Sequence, residues 1–178
     1  MLENPGTSRR RMAVFYAKDA KDLEAEMMPM EGLDENLLAR LARLKESGLT
    51  DEGLGASSRV LFGKPGEDGM SLVHIWFKSG YVLPFHSHNV DCLYYVTGGE
   101  LRIGSHVLRK GDGMFIPGDH AYGYEAGPEG VELLEFRNAT RFNFVFGAND
   151  EGRWNRIAET YRDRAAIWED ETVPPSDR

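Results

Sequence analysis

The 178-residue sequence has a single cysteine, Cys92, and so cannot form an intramolecular disulfide or a cysteine-rich zinc site. It has no apolar run long enough to cross a membrane. The N-terminal residues include arginines, but no hydrophobic stretch follows them, so they do not resemble a secretory signal. From these absences we expect a cytoplasmic protein that does not associate with membranes.

Positive charge is also scarce, because 21 Lys and Arg stand against 29 Asp and Glu, for a net charge of −8. A general nucleic-acid binder needs a basic surface to neutralise phosphates, and an anionic membrane attracts basic segments for the same reason. The sequence lacks a Walker loop, a Rossmann fingerprint, a Gly-x-Ser-x-Gly elbow and a His-Glu-x-x-His motif. We therefore expect a small-molecule substrate or ligand and no nucleic acid.

The N-terminal zone, residues 1–58, is predicted to be an extension with one amphipathic helix. Asp34 is the candidate N-cap of this helix and Gly48 its candidate C′ residue. Four leucines recur at the spacing of one helical stripe: Leu37, Leu38, Leu41 and Leu44. This stripe is expected to pack on a larger body.

The C-terminal zone, residues 148–178, returns to helical spacing and ends in a polar tail. Asn149 or Asp150 is expected to cap the start of the helix. Trp154 and Trp168 lie within the helical segment. They are expected to anchor it to the central body or to a partner subunit.

The central zone, residues 59–147, consists of short apolar or alternating runs. Glycine- and proline-containing turn signals separate these runs at roughly ten-residue intervals, and one such signal is Thr97–Glu100. No segment between the runs has the length and pattern of a crossover helix. This spacing predicts an all-β sandwich or barrel.

The strongest chemical signal is the sequence His86-Ser87-His88. On a strand, residues i and i+2 point to the same face, so both imidazoles can reach one metal ion. Imidazole suits zinc, copper, iron and nickel. Two histidines do not complete a metal site, and further ligands must come from elsewhere in the chain, from water or from substrate.

The residues around this pair resemble the motifs of the cupin superfamily. Gly80, His86, His88 and Gly98 match the first motif in order, and Gly111 and Pro117 match the start of the second. The resemblance covers residues 70–137, and the strand pattern extends it to 59–147. It implies a double-stranded β-helix, or jelly-roll, with the helices of the two other zones flanking it.

The sequence departs from these motifs at the positions expected to bind metal. Asp91 replaces the Glu of the first motif and stands closer to His88 in the sequence than that Glu does. It is expected either to coordinate the metal or to orient an imidazole. In the second motif, Tyr122 occupies the usual histidine position, and His120 stands two residues earlier. Tyr122 is the candidate third ligand that keeps the spacing of the motif, and His120 is the candidate whose side chain is a common metal ligand. A third alternative is that neither binds metal.

The resemblance includes small dioxygenases of the dihydroxyacetophenone-cleaving type, which implies a metal-dependent enzyme acting on a small carbonyl-containing or aromatic molecule. Iron is the first candidate metal, and zinc, nickel and manganese are the others. Asp91 or Tyr124 is expected to handle the proton. The alternatives are a non-oxidative metal-dependent isomerase or lyase and a non-catalytic ligand-binding cupin. Homodimers are common in the superfamily, and one is expected here.

Other polar residues are interpreted structurally. His74 is expected to be a satisfied barrel histidine and Cys92 a buried inert thiol. Glu132 and Glu135 fall on opposite faces of one strand. A solvated side chain is the favoured interpretation of each, and the alternative is that one of them points inward as a base or ligand. A small monoanionic ligand could be held by an arginine that faces inward, and the three candidates are Arg102, Arg137 and Arg141.

Overall fold

The computed structural model describes residues 12–46, 54–66, 69–147 and 150–178. In chain order, the strands are β1 (Lys21–Asp22), β2 (Met30–Glu31), β3 (Ala56–Lys64), β4 (Met70–Phe77), β5 (His86–Ser87), β6 (Cys92–Ile103), β7 (His106–Arg109), β8 (Gly113–Ile116), β9 (Glu125–Arg137) and β10 (Phe144–Phe146). The α-helices are α1 (Glu35–Glu46) and α2 (Glu151–Asp170). Within the described residues, no helix is both long and apolar enough to span a membrane.

The strands form two sheets. The larger has the order β1-β3-β4-β9-β6-β7, with β8 also paired to β6, and the smaller has the order β2-β10-β5. All pairings are antiparallel except that of β2 with β10. Inward-facing residues alternate with outward-facing ones, as Val73, Ile75 and Phe77 show on β4. The predicted all-β jelly-roll with flanking helices is confirmed.

Strand β6 corrects one detail of the sequence interpretation. The Thr97–Glu100 turn signal lies inside this single twelve-residue strand. The register of β6 against β9 shifts on both sides of Gly98 and Gly99, which marks a β-bulge. Gly99 has φ 71°, and a Cβ there would collide with the carbonyl oxygen of Gly130. The glycines therefore permit a close approach of two strands.

Helix α1 follows the predicted cap, because the Leu37 backbone N–H donates to Asp34 Oδ1 at 2.7 Å. Leu44 is buried, whereas Leu38 is half exposed and lies at the edge of the apolar stripe. The predicted C′ residue, Gly48, lies outside the described residues. The extension also contributes β1 and β2 to the two sheets, which the sequence analysis did not predict.

Helix α2 is held by its aromatic side chains. Asp150 caps it, with its Oδ1 accepting from the Arg153 N–H at 2.7 Å, while Asn149 lies outside the described residues. Trp168 is completely buried, and its indole N–H donates to the Ser79 carbonyl at 2.9 Å. The predicted anchoring of this helix to the barrel is confirmed.

Candidate functional site

The two histidines of the His-x-His sequence lie side by side. His86 belongs to β5 and His88 follows it, and their side chains point to the same face of the strand. Their exposed fractions are 2% and 5%, and their ring centroids are 4.9 Å apart. The structure therefore brings this predicted pair together inside the barrel.

Backbone carbonyls fix the orientation of both rings. Nδ1 of His86 lies 2.9 Å from the Pro84 oxygen, and Nδ1 of His88 lies 2.5 Å from the Asn143 oxygen. Because a carbonyl oxygen only accepts, each Nδ1 donates a proton and each neutral ring keeps its lone pair on Nε2. Neither Nε2 forms a hydrogen bond with the residues that the structure describes. This is the tautomer in which histidine binds metals through Nε2.

Burial keeps both rings neutral. It lowers the pKa of His86 to about 3, with a smaller contribution from the neighbouring His88. It lowers the pKa of His88 to about 4, and the charge of Arg137 adds to this effect. At neutral pH, both imidazoles are therefore available as metal ligands or hydrogen-bond acceptors, but they are weak bases.

Aromatic rings enclose His86. The Phe144 ring of β10 stacks on it at a centroid distance of 4.4 Å and an interplanar angle of 1°. The Tyr122 ring lies on another side of it, also at 4.4 Å. Pairing of β10 with β5 brings Phe144 to this position. The packing fixes the histidine ring without using its Nε2 atom.

Tyr122 lies beside the histidine pair, as its register predicts. Its backbone exchanges two 2.9 Å hydrogen bonds with that of His86. Its hydroxyl is 2.5 Å from the hydroxyl of Tyr94. Burial, chiefly, raises the pKa of Tyr122, so the side chain is a protonated phenol. It can bind metal as a phenolate only after losing that proton.

Tyr124, predicted to handle a proton, lies in the barrel core. Its ring packs between those of Phe77, Tyr94 and Tyr122. It does not line the cavity described below, whereas Tyr94 does. Of these two tyrosines, Tyr94 is therefore the one that borders the cavity.

Asp91 and His120, two further predicted site residues, do not reach the pocket. Asp91 is exposed, and its Oδ1 accepts from the Gly118 N–H at 2.8 Å. His120 is also exposed, because the chain turns between Pro117 and His120 before the inward-facing positions begin at Tyr122. Among the described residues, no three His, Cys, Asp or Glu side chains are grouped so as to hold a metal ion.

A cavity of about 270 Å³ lies against the histidine pair, and its lining is mainly apolar. Its walls come from the barrel, from the N-terminal extension and from both helices. The residues that the extension and helices supply are Leu23, Met28, Met30, Leu41, Leu44, Trp154, Ile157 and Tyr161. Ligand pockets usually have volumes of about 300–1,000 Å³, so this cavity suits a small molecule.

Glu135 and Arg137 also line the cavity. Both lie on β9 and point inward with Val131 and Leu133, at the period of two that the sequence shows. The expectation of a solvated Glu135 is wrong, because the side chain is buried and bound to Arg137. Among the three candidate arginines, Arg137 is the one that faces the cavity.

The remaining polar residues of the barrel have structural partners. Glu132 is also buried, contrary to expectation, and accepts from His74 Nε2 at 2.6 Å and from the Ser176 N–H at 3.0 Å. His74 is thus the satisfied barrel histidine that was predicted. Cys92 is buried and its pKa is raised to about 12, chiefly by burial, in agreement with an inert thiol.

No protein-family model and no curated protein sequence matches the chain. Solved structures do match it. The polyketide cyclase RemF from Streptomyces resistomycificus has a TM-score of 0.54 and 17% identity, over 86% of this chain and 97% of that one.

Two proteins from Ralstonia eutropha also match. One, of unknown function and with a cupin-like fold, has a TM-score of 0.50 and 16% identity, over 90% of each chain. The other, an RmlC-like cupin, has a TM-score of 0.50 and 12% identity, over 94% of this chain and 93% of that one. Together with the jelly-roll topology, these matches show that the chain has the fold of the cupin superfamily.

Proposed function

We propose that this protein is a metal-binding cupin enzyme, which holds a divalent transition metal on His86 and His88 and acts on a small carbonyl-containing or aromatic molecule. The observation that carries the proposal is the state of the two rings. Both are buried and neutral, both are fixed through Nδ1, and both border a mainly apolar cavity.

The donor set fits a metal site with two protein ligands. Neutral imidazole nitrogens suit iron, zinc and nickel, with iron as the first candidate and manganese as a further one. The other coordination positions are then left to water or to oxygen atoms of the substrate. Tyr122 adds no charged donor while its protonated hydroxyl is bound to Tyr94.

The cavity determines what the substrate can be. Its small volume and its aromatic and aliphatic walls favour a compact molecule with an apolar body, and they exclude most of the water around it. When bound, a transition metal supplies Lewis acidity toward a carbonyl oxygen and, if it is iron, redox chemistry with dioxygen. The protein itself holds the substrate body against these walls.

Tyr94 is the proton donor in this proposal. Its ring lines the cavity, and burial is the first cause that raises its pKa, so its hydroxyl carries a proton at neutral pH. The hydroxyl also lies 2.5 Å from that of Tyr122. A dioxygenase-like reaction is the first form of the proposal. A non-oxidative isomerase or lyase is the second form, in which a base would take up the proton abstracted from the substrate and Tyr94 would be the acid that returns one.

The metal site is tested by elemental mass spectrometry on protein purified without an affinity tag and without added metal. We expect near-stoichiometric metal in the wild type and none in the His86→Ala/His88→Ala variant. The matched control is His106→Ala/His120→Ala, which removes two exposed imidazoles and should retain the metal. A wild type that binds no metal, even after reconstitution with iron or zinc, contradicts the proposal and leaves the non-catalytic ligand-binding alternative.

The reaction class is tested on the metal-loaded protein. Oxygen consumption with carbonyl-bearing aromatic compounds supports the dioxygenase, whereas turnover without oxygen uptake supports the isomerase or lyase. In both cases Tyr94→Phe should lower the rate, because it removes the donated proton. The homodimer stays a prediction, which light scattering of the purified protein tests. The cytoplasmic location also stays a prediction.

A further inference from the structure

A buried ion pair forms part of the cavity wall. Arg137 and Glu135 are two residues apart on β9, so their side chains share its inner face. The exposed fractions of these side chains are 1% and 7%, and Nη1 of Arg137 donates to Oε2 of Glu135 at 2.5 Å. Among the described residues that line the cavity, these two carry its formal charges, because both histidines are neutral.

The fold itself does not require charges at these positions. Val131 and Leu133 occupy the same face of β9, and both are fully buried. A buried ion pair costs desolvation energy, and well-packed apolar residues in its place are often equally stable or more stable. A pair kept at the wall of a ligand-sized cavity therefore indicates a role in binding.

The guanidinium of Arg137 is only partly used. Arginine has five N–H donors, of which the structure pairs one with Glu135. Its Nε is buried and has no partner among the described residues. Its central carbon lies 4.0 Å from the ring centroid of Phe142, which holds the flat face of the group. Unpaired donors remain for an anionic oxygen.

We propose that Arg137 binds the carboxylate of the small molecule that enters this cavity. The substrate class is then a small carboxylate with an apolar, ring-sized body, which rests on the proposed function because it names the molecule for the same site. A carboxylate matches the guanidinium fork in two parallel hydrogen bonds. Glu135 neutralises Arg137 in the absence of the ligand and competes with the incoming carboxylate.

Binding of benzoate and of its uncharged analogue benzamide tests this inference by isothermal titration calorimetry. All titrations are done in EDTA on metal-free protein. We expect the wild type to bind benzoate more tightly than benzamide. Glu135→Gln removes the competing carboxylate, so it should strengthen benzoate binding about tenfold, the effect of one charge-assisted hydrogen bond, and leave benzamide binding unchanged.

Two further variants complete the design. Glu135→Gln/Arg137→Gln removes both charges and should bind the two compounds equally. Arg137→Lys keeps the charge but not the planar fork, so it should reduce the preference for benzoate without disturbing the charge balance of the pair. Circular dichroism checks that each variant is folded. If the variants that replace Glu135 do not fold, the comparison of the wild type with Arg137→Lys is enough to test the preference for benzoate.

Equal binding of benzoate and benzamide by the wild type and by Glu135→Gln overturns the inference, as does a preference that persists in the double variant. Absence of benzoate binding to both proteins also overturns it. Because EDTA is present throughout, the benzoate and benzamide titrations give the same result whether or not the protein can bind a metal. Stoichiometric metal without any carboxylate preference refutes this inference alone.

Discussion

Acid should destabilise the metal-free protein through His86 and His88. In the unfolded chain each histidine has a pKa of about 6.5, whereas in the folded protein the values are about 3 and about 4. Below pH 6.5, the unfolded chain therefore takes up two protons that the folded protein does not bind. By linkage, the free energy of unfolding falls as the pH falls, down to the folded-state pKa values.

The size of this effect follows from the same values. A histidine that stays neutral in the fold loses about 1.3 kcal/mol of stabilising free energy between pH 7 and pH 5.5, so the pair loses about 2.5 kcal/mol. This is a large part of the 5–15 kcal/mol, approximately, that holds an ordinary domain together. Further loss should continue toward pH 4.

Urea unfolding followed by tryptophan fluorescence, in EDTA, measures this effect. The wild type is compared with His86→Asn/His88→Asn, because asparagine can still donate to the Pro84 and Asn143 carbonyls but does not titrate. All other side chains are the same in both proteins, so the difference between the two isolates the histidines. We expect the wild type to lose about 2.5 kcal/mol more than the variant between pH 7 and pH 5.5.

A matched control uses the exposed histidines. His106→Asn/His120→Asn should follow the wild type at both pH values, because both replaced side chains are exposed and lie outside the buried pair. Parallel pH dependence of the wild type and His86→Asn/His88→Asn would refute the reasoning. It would mean that the pair accepts protons inside the folded barrel.

Three further predictions concern stability and reactivity. Trp168→Ala should lower the free energy of unfolding by about 3–5 kcal/mol, measured by urea denaturation, because the side chain is fully buried and bonded to Ser79. Tyr94→Phe should cost about 1–3 kcal/mol because it leaves the buried Tyr122 hydroxyl unpaired, and Tyr94→Phe/Tyr122→Phe should be less destabilising in the same assay. Cys92 should react with a thiol reagent only after denaturation, since burial raises its pKa to about 12; rapid labelling of the native protein would contradict this.

The fold was predictable from the sequence where periodicity is strong. Alternation in β4 and the caps at Asp34 and Asp150 are local signals, and the structure has them as expected. The bulge at Gly98 and Gly99 was not predictable, because glycines that break a strand and glycines that permit a close approach have the same local pattern. The short strands β1 and β2 exist through tertiary pairing and carry too few residues to show a period.

The candidate site was predictable only in part. His86 and His88 share a face by geometry alone, and the register of Tyr122 against His86 followed the motif. Asp91 and His120 were misplaced because a tight turn after Pro117 determines which side chains face inward, and spacing along the chain does not reveal it. These errors concern loops, where the strand period does not apply.

Glu135 shows a different reason for failure. An antiparallel strand that carries charged residues normally has one solvated face, so the pattern favours a solvated Glu135, whereas Arg137 is a candidate cation that could face inward. In this barrel, however, both faces of β9 are covered, the inner one by the opposite wall and the outer one at Glu132 by His74 and the C-terminal segment. The local sequence cannot show that closure.

The part of the cavity wall outside the barrel limits what motif resemblance can say about the substrate. Residues 23–30 and helices α1 and α2 supply a large share of the apolar lining, and all of them lie outside residues 59–147. The cupin motifs therefore position the histidine pair, whereas segments beyond them set the length and shape of the molecule that fits. Two chains can share the barrel and the pair and still take different substrates, because their walls differ. In this cavity those walls combine apolar surface with the charged side chains of Arg137 and Glu135.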